Sequence, residues 1–292
     1  MYIMEILVLG GTRFFGKVLV NNLIDMGHNV TIATRGLTKD NYEDKVNRII
    51  LDRENKESIE QALNDKKFDV IYDNLCYSPN SAKILCDIIK DKTKKYIVVS
   101  SSAVYDFKRY IKEEDFNPDS YKIKYGERQD FSYAEGKRLS EAVIFQKYSI
   151  PTIAVRFPVV LAEDDHTKRL YSYVESITKK ESLNIDNMKC NLSFISANEA
   201  GEFLAFLSAT EYQGQINAAS EGSIIINEII SYIEQATNKK AVIKESGKNG
   251  AYNGMLDCTL DTSNANNIGF KFKEVRDYIF NLIDTYKQSI KI

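Results

Sequence analysis

Histidine is nearly absent from this chain: His28 and His166 are the only two in 292 residues. They leave almost no material for a zinc centre or a histidine-based nucleophilic triad, so no metal site is expected. Cysteine is also sparse. Cys76, Cys86, Cys190 and Cys258 form no close pair of the kind that clasps a metal. With no leader segment in view, the expectation is reduced thiols and a cytoplasmic location. No proline-rich linker, low-complexity tract or internal repeat breaks the chain, and no apolar run is long enough to span a bilayer. Excess charge is missing too. Thirty-nine basic residues face 41 acidic ones, for a net charge of -2 and a pI near 5.9. Lysine pairs such as Lys66-Lys67 and Lys94-Lys95 are scattered. Neither a membrane surface nor nucleic acid is therefore the expected partner.

Ordinary globular composition remains, with 43% hydrophobic residues, and it is enough for a large core. The apolar run Glu5–Leu9 passes directly into Gly10-Gly-Thr-Arg-Phe-Phe-Gly16. Phe15, Val18, Leu19, Leu23 and Met26 then recur at helical spacing, and Gly27 stands where a helix would stop. Strand, glycine turn and helix in that order predict a dinucleotide site. Helix N-terminal amides attract a pyrophosphate, and glycine lets it approach the main chain.

Strand-like runs follow at Asn29–Thr34, Val46–Leu51, Asp69–Tyr72, Tyr96–Ser100 and Thr152–Phe157. Helical segments lie between them at Lys56–Leu63, Asn80–Lys90 and Tyr133–Tyr148. This alternation predicts an α/β chain with a Rossmann-like, doubly wound parallel sheet. Beyond Phe157 the rhythm loosens. Helices are expected at Leu170–Thr178, Ala197–Ser208, Asn227–Thr237 and Lys273–Lys287, with strands at Cys190–Ile195, Gln215–Ala218 and Ala241–Lys244. The predicted division is a nucleotide-binding domain over 1–160 and a smaller C-terminal substrate lobe over 161–292 that crosses back to the first.

Two motifs carry chemistry. Val98–Tyr105 closes a predicted strand with Ser100-Ser101-Ser102, and Tyr133-Ala-Glu-Gly-Lys137 opens a helix. A spacing of four puts Tyr133 and Lys137 on one helical face. A phenol is a poor base near neutrality, but a neighbouring ammonium and an oxidised nicotinamide both favour its phenolate, while a serine hydroxyl can hold the substrate oxygen.

In this order, the glycine turn, Ser100–Tyr105, Tyr133-xxx-Lys137 and Val155-Arg156-Phe157-Pro158 resemble the short-chain dehydrogenase/reductase superfamily. The likeness is to its extended branch of sugar-nucleotide epimerases, dehydratases and decarboxylases, with weaker echoes at Phe194-Ile195 and Asn217-Ala218-Ala219. Tyr133–Glu141 is similar to the form seen in UDP-glucuronate decarboxylases. The resemblance implies Ser101, Tyr133 and Lys137 as catalytic residues, with Lys137 on the nicotinamide ribose. It implies a cofactor site of Gly10, Gly11, Thr12, Arg13, Phe14, Phe15, Gly16, Asp52, Arg53, Asn74, Leu75, Tyr133, Lys137 and Pro158. Asp52-Arg53 matches the position whose carboxylate meets the adenine amine. Three positions depart from the pattern. Arg13 replaces the middle glycine, as in an atypical subgroup that includes chloroplast stem-loop RNA-binding proteins, while Asp106 and Val159 stand where glycine and asparagine are usual.

After the second strand, Thr34-Arg35 replaces the acidic residue that grips an NAD ribose. Arg35, with Arg13 near it, suits a 2′-phosphate, so NADP is expected in preference to NAD. Lys168 and Arg169, in the polar stretch after Ala162, are candidates for an anionic substrate group. A capped helix start, in which Asp164 or Asp165 satisfies free N–H groups, is the plainer reading of that stretch. The expected function is an NAD(P)-dependent oxidoreductase, epimerase or dehydratase acting on a sugar-like or nucleotide-sugar carbonyl or alcohol. The alternative is a non-catalytic nucleotide-binding protein on the same fold, RNA-associated or a redox sensor. The expected partner is a small-molecule substrate, and a homodimer stays open.

Overall fold

The computed structural model describes residues 2–290. Its first half alternates strands and helices as the pattern predicts: β1 (Glu5–Leu9), α1 (Phe14–Asp25), β2 (Asn29–Thr34), β3 (Asn47–Ile50), α2 (Lys56–Ala62), β4 (Phe68–Asp73), α3 (Pro79–Ile89), β5 (Thr93–Ser101), α4 (Tyr133–Lys147) and β6 (Thr152–Phe157). β1 shows why these runs become central strands. Ile6, Leu7, Val8 and Leu9 have no exposed surface; Ile6 and Val8 enter the core on one face of the sheet, Leu7 and Leu9 the core on the other. Only a strand covered on both sides buries consecutive apolar residues this way.

The second half comprises β7 (Val159–Leu161), α5 (Arg169–Lys179), β8 (Ser182–Asn184), β9 (Asn191–Leu192), β10 (Phe194–Ser196), α6 (Ala197–Leu207), β11 (Gly214–Asn217), β12 (Ile224–Ile225), α7 (Ile226–Thr237), β13 (Val242–Ile243), β14 (Lys248–Asn249), α8 (Ser263–Asn267) and α9 (Arg276–Ser289). The main sheet has seven strands in the order β11-β6-β5-β4-β1-β2-β3, every pairing parallel. β11 therefore belongs to the nucleotide-binding sheet, and α6 packs on α1. Conversely, Val104, Tyr105, Ile111 and Phe116 sit in the C-terminal core with α5, α7 and α9. The two lobes are thus interleaved in sequence, more deeply than a cut at residue 160 conveys.

The expected strand Cys190–Ile195 divides at Ser193. Its N–H donates to the Cys258 carbonyl (2.9 Å) and its hydroxyl accepts from the Leu260 N–H (3.0 Å). This cross-chain pairing sends β9 to an antiparallel partner, β12, and β10 to a parallel one, β7. Apolar alternation runs through the junction, so the break leaves no mark in local sequence.

Candidate active site

All the parallel strands end at one edge of the sheet, and the functional side chains gather there. The turn after β1 is tight. Gly10 and Gly11 adopt φ values of +88° and +118°, a region closed to most side chains. A Cβ on Gly11 would stand 3.0 Å from Val20 and 3.2 Å from Val8. The Gly11 carbonyl accepts from the buried Tyr42 hydroxyl at 2.5 Å, which pins the turn from the loop after β2. Arg13 is the N-cap of α1 but contributes no side-chain cap, and the first turn holds no acid. The N-terminal amides of the helix thus keep their hydrogens for an incoming acceptor.

Both amide atoms of Asn74 are buried without a partner among the described residues, and the side chain faces Gly10 and Gly16. An unpaired buried amide is costly, so the site is built for a polar group to enter. A dinucleotide fits this cradle: its pyrophosphate suits the glycine turn with Thr12, Arg13, Phe14, Phe15 and Gly16, and its polar edge suits Asn74 beside the half-buried Leu75. Asp52 is exposed just beyond β3; its carboxylate accepts from the Glu54 N–H (3.0 Å). Arg35 is exposed just beyond β2, and Arg13 reaches the same segment, where its Nη2 donates to Thr38 (3.0 Å).

Arg53 is used differently from expectation. Its guanidinium is buried and donates twice to Asp73, at 2.6 and 3.2 Å, and to the Ser81 carbonyl at 2.9 Å. The Tyr96 hydroxyl donates to the same Asp73 oxygen (2.8 Å). Burial alone would push the Asp73 carboxyl up, yet Arg53 and these hydrogen bonds hold it below the usual carboxylate range. Arg53 therefore ties β4 to α3, with three of its N–H groups given to protein acceptors.

On the α4 side, Ser132 caps the helix by accepting from the Glu135 N–H (3.2 Å), which places Tyr133 on its first turn. The Tyr133 side chain is 54% exposed and so can meet a substrate. Lys137 is buried and donates to the carbonyls of Cys76 (2.7 Å) and Val99 (2.8 Å), which leaves a third N–H. Its Nζ lies 5.8 Å from the Tyr133 ring centre. Ser101 ends β5 in register with Phe157 of β6. Its Oγ accepts from the Ala103 N–H (3.2 Å) and stays able to donate. Pro158, half-buried, follows Phe157 at the same edge.

Beneath these residues lies a buried brace that sequence reasoning missed. Arg156 has no exposed surface. It pairs with Glu141 of α4 (2.5 Å) and donates to the Tyr105 hydroxyl (2.8 Å) and to the carbonyls of Glu113 (2.8 Å) and Phe116 (3.1 Å). Ser100 donates to Glu141, and the Tyr105 hydroxyl to Asn217 of β11 (2.6 Å). The brace thus fixes β5, β6 and α4, which carry Ser101, Pro158, Tyr133 and Lys137. Arg156, Glu141, Ser100, Tyr105 and Asn217 all stand in the quoted motifs, but nothing in those motifs marks them as partners of one another.

Tyr77 was missed as well. Its ring lies 6.4 Å from the Tyr133 ring, 4.6 Å from Lys137 Nζ and 4.4 Å from the Arg128 guanidinium. Burial pushes its phenol up, against the pull of Lys137.

Lys168 and Arg169 stand elsewhere. Lys168 takes a left-handed conformation (φ +51°) at the start of α5, and its Nζ lies over Tyr171 (5.5 Å). It lines a cavity of about 210 Å³ with Glu163, Asp165 and Tyr286. Arg169 Nε donates to Thr167 (3.1 Å). Asp165 closes a turn by accepting from the Thr167 N–H (2.9 Å), and α5 begins with no side-chain cap. The segment's contact with the cofactor edge is His166, whose ring meets Phe14 edge-on at 6.2 Å.

The family model of the NAD dependent epimerase/dehydratase family matches residues 6–218, most of the chain. The chain belongs to that family. The glycine turn, Ser101, Tyr133, Lys137 and the Arg156 brace all fall inside the matched span. Among solved structures of the same fold is the UDP-glucose 4-epimerase of Thermus thermophilus in complex with NAD. It is 15% identical, with a TM-score of 0.71, and the match covers 98% of this chain and 100% of that one. The dTDP-glucose 4,6-dehydratase of Bacillus anthracis in complex with NAD is 12% identical, with a TM-score of 0.75 over 99% of this chain and 97% of that one. A curated relative, the chloroplast stem-loop binding protein of 41 kDa b from Arabidopsis thaliana, is 29% identical over 132 residues. That match covers 40% of this chain and 35% of the relative's length.

Proposed function

We propose that this family member is an NAD(P)-dependent enzyme that oxidises, and in epimerase or dehydratase fashion restores, a secondary alcohol on a sugar-like or nucleotide-linked substrate. The observation that supports the reading is Lys137, held 5.8 Å from the Tyr133 ring and bonded to Val99 two residues before Ser101 on β5, together with an empty-handed Asn74 and an uncapped α1. The nicotinamide, when bound, supplies the hydride acceptor. Ser101 Oγ donates to the substrate oxygen and orients it. The Tyr133 oxygen takes the hydroxyl proton as the carbonyl forms and returns it in the reverse step. Lys137, held by two carbonyls, turns its remaining N–H toward the ribose and places positive charge where the phenolate develops. Arg13 and Arg35 at the far end support NADP over NAD, as a phosphate site of two guanidinium groups.

Tyr133→Phe is the direct test. Turnover should fall by roughly a hundred- to ten-thousandfold, with nicotinamide binding nearly intact, because only the proton-carrying oxygen is removed. Wild-type turnover in this variant removes Tyr133 from the reaction. Ser101→Ala should lose less.

The plant relative favours a second reading, an RNA-associated role on the same fold. The even charge balance of this chain argues against it. The redox-sensor reading finds little support in the thiols. All four cysteines are buried, and burial pushes Cys76 and Cys190 up to about 11, far from reactive thiolate.

A further inference from the structure

Lys168 and Arg169 stand at the start of α5, and Arg53 is paired with Asp73. Two positive charges, Lys137 and Arg128, meet the ring of Tyr77, which itself lies 6.4 Å from the Tyr133 ring. Lys137 is anchored to two carbonyls, whereas Arg128 has no carboxylate partner among the described residues. The acids beside it meet other donors: Glu127 accepts from Asn80 (2.7 Å) and Asp130 from the Glu127 N–H (2.8 Å). Arg128 is nonetheless held in place, with its guanidinium over the Tyr77 ring at 4.4 Å. Tyr77 is fixed in turn, because α4 passes so close that Gly136 has no room for a Cβ against the Tyr77 carbonyl. Contact with a ring uses none of the guanidinium's N–H groups in a hydrogen bond, and no protein acceptor takes them among the described residues; such N–H groups grip a carboxylate or phosphate through two parallel hydrogen bonds.

We propose that Arg128, seated on Tyr77 at the mouth of the Tyr133 site, recognises an acidic group, carboxylate or phosphate, on the substrate close to its reacting carbinol. The inference rests on the alcohol-oxidising reading above and names the substrate class for that site. Arg128 discriminates between substrates: a neutral sugar leaves the guanidinium unused, and an acidic one satisfies it. Tyr77 acts as a positioning residue, through its ring rather than its hydroxyl.

The test uses the full chain saturated with NADP or NAD, and calorimetric titration with two matched pairs that differ only in an acidic group on the sugar: UDP-glucuronate against UDP-glucose, whose sugar is neutral though both carry the diphosphate, and glucose 6-phosphate against glucose. In at least one pair the acidic member should bind the wild type tenfold or more tightly than the neutral one. Arg128→Ala should weaken the acidic member by about ten- to a hundredfold and leave the neutral member unchanged. Arg128→Lys should restore part of the loss, and Tyr77→Phe should keep the preference. Which pair responds tells a carboxylate from a phosphate. The proposal is overturned if neither pair shows a preference for its acidic member, if Arg128→Ala weakens both members alike, or if it weakens neither. Cofactor binding and the Tyr133→Phe assay report separately on the reading beneath it.

Discussion

A phosphate on the adenosine ribose asks for a guanidinium where NAD asks for a carboxylate. At the end of β2 this chain offers Arg35, with Arg13 anchored to Thr38 in the same segment. NADP should therefore bind more tightly than NAD. Arg35→Ala should reduce NADP affinity by roughly ten- to a hundredfold and leave NAD affinity almost unchanged. Fluorescence titration of both cofactors against both proteins decides it, and equal wild-type affinities would leave Arg35 a surface residue. At this scale sequence was a good guide wherever function follows from backbone position. Gly10, Gly11, Ser101 and Tyr133 stand where their motifs place them relative to strand and helix ends. It was a poor guide wherever two residue types compete for one role. Arg53 reads as a cofactor neighbour until Asp73, twenty positions on, is seen to claim it. Arg128 belongs to no motif in the sequence, and only the fold brings it over Tyr77.

Among the elements, α4 is the one on which the site turns. Ser132 caps it, Tyr133 and Lys137 ride on it, and Glu141 anchors it to β6 through Arg156. Its distance from the Tyr77 loop is set by Gly136, where a Cβ would come within 2.5 Å of the Tyr77 carbonyl. In an open helix, Gly→Ala stabilises by up to about 1 kcal/mol. Here Gly136→Ala should destabilise by about 1–3 kcal/mol, because the added methyl must push helix and loop apart. Urea unfolding gives the sign, and a stabilised variant would mean that α4 stands further from the loop. The expected helix Tyr133–Tyr148 ends within a residue of the observed one, although its buried side chains run almost unbroken from Gly136 to Ile144. The same reasoning merged β9 with β10, because the break at Ser193 is made by hydrogen bonds to Cys258 and Leu260, far along the chain.

For the whole molecule, the balance of charge bears on the RNA question. Thirty-nine cations against 41 anions give no net positive charge to draw in a phosphate backbone. At physiological salt, binding to a stem-loop RNA should stay at the weak, nonspecific level of an ordinary acidic protein. Filter binding across a salt series checks this. A tight complex whose affinity falls steeply with salt would raise the RNA-associated reading above the enzymatic one.

The parallel sheet, the glycine turn and the places of Ser101 and Tyr133 at the ends of β5 and α4 were determined by sequence alone. Each is a local matter of apolar periodicity, of helix termini and of positions where only glycine fits. Tertiary structure decided the interleaving of the lobes, with β11 completing the first sheet and Tyr105 entering the second core. It also decided which of several arginines are free to meet a ligand. Arg53 and Arg156 are neutralised by acids brought to them through folding, while Arg128 is left on an aromatic platform beside Tyr133. A charged side chain's role depends on its partner, and here those partners lie 15 to 51 positions away. Pairing at that range is settled by packing, and no local pattern records it.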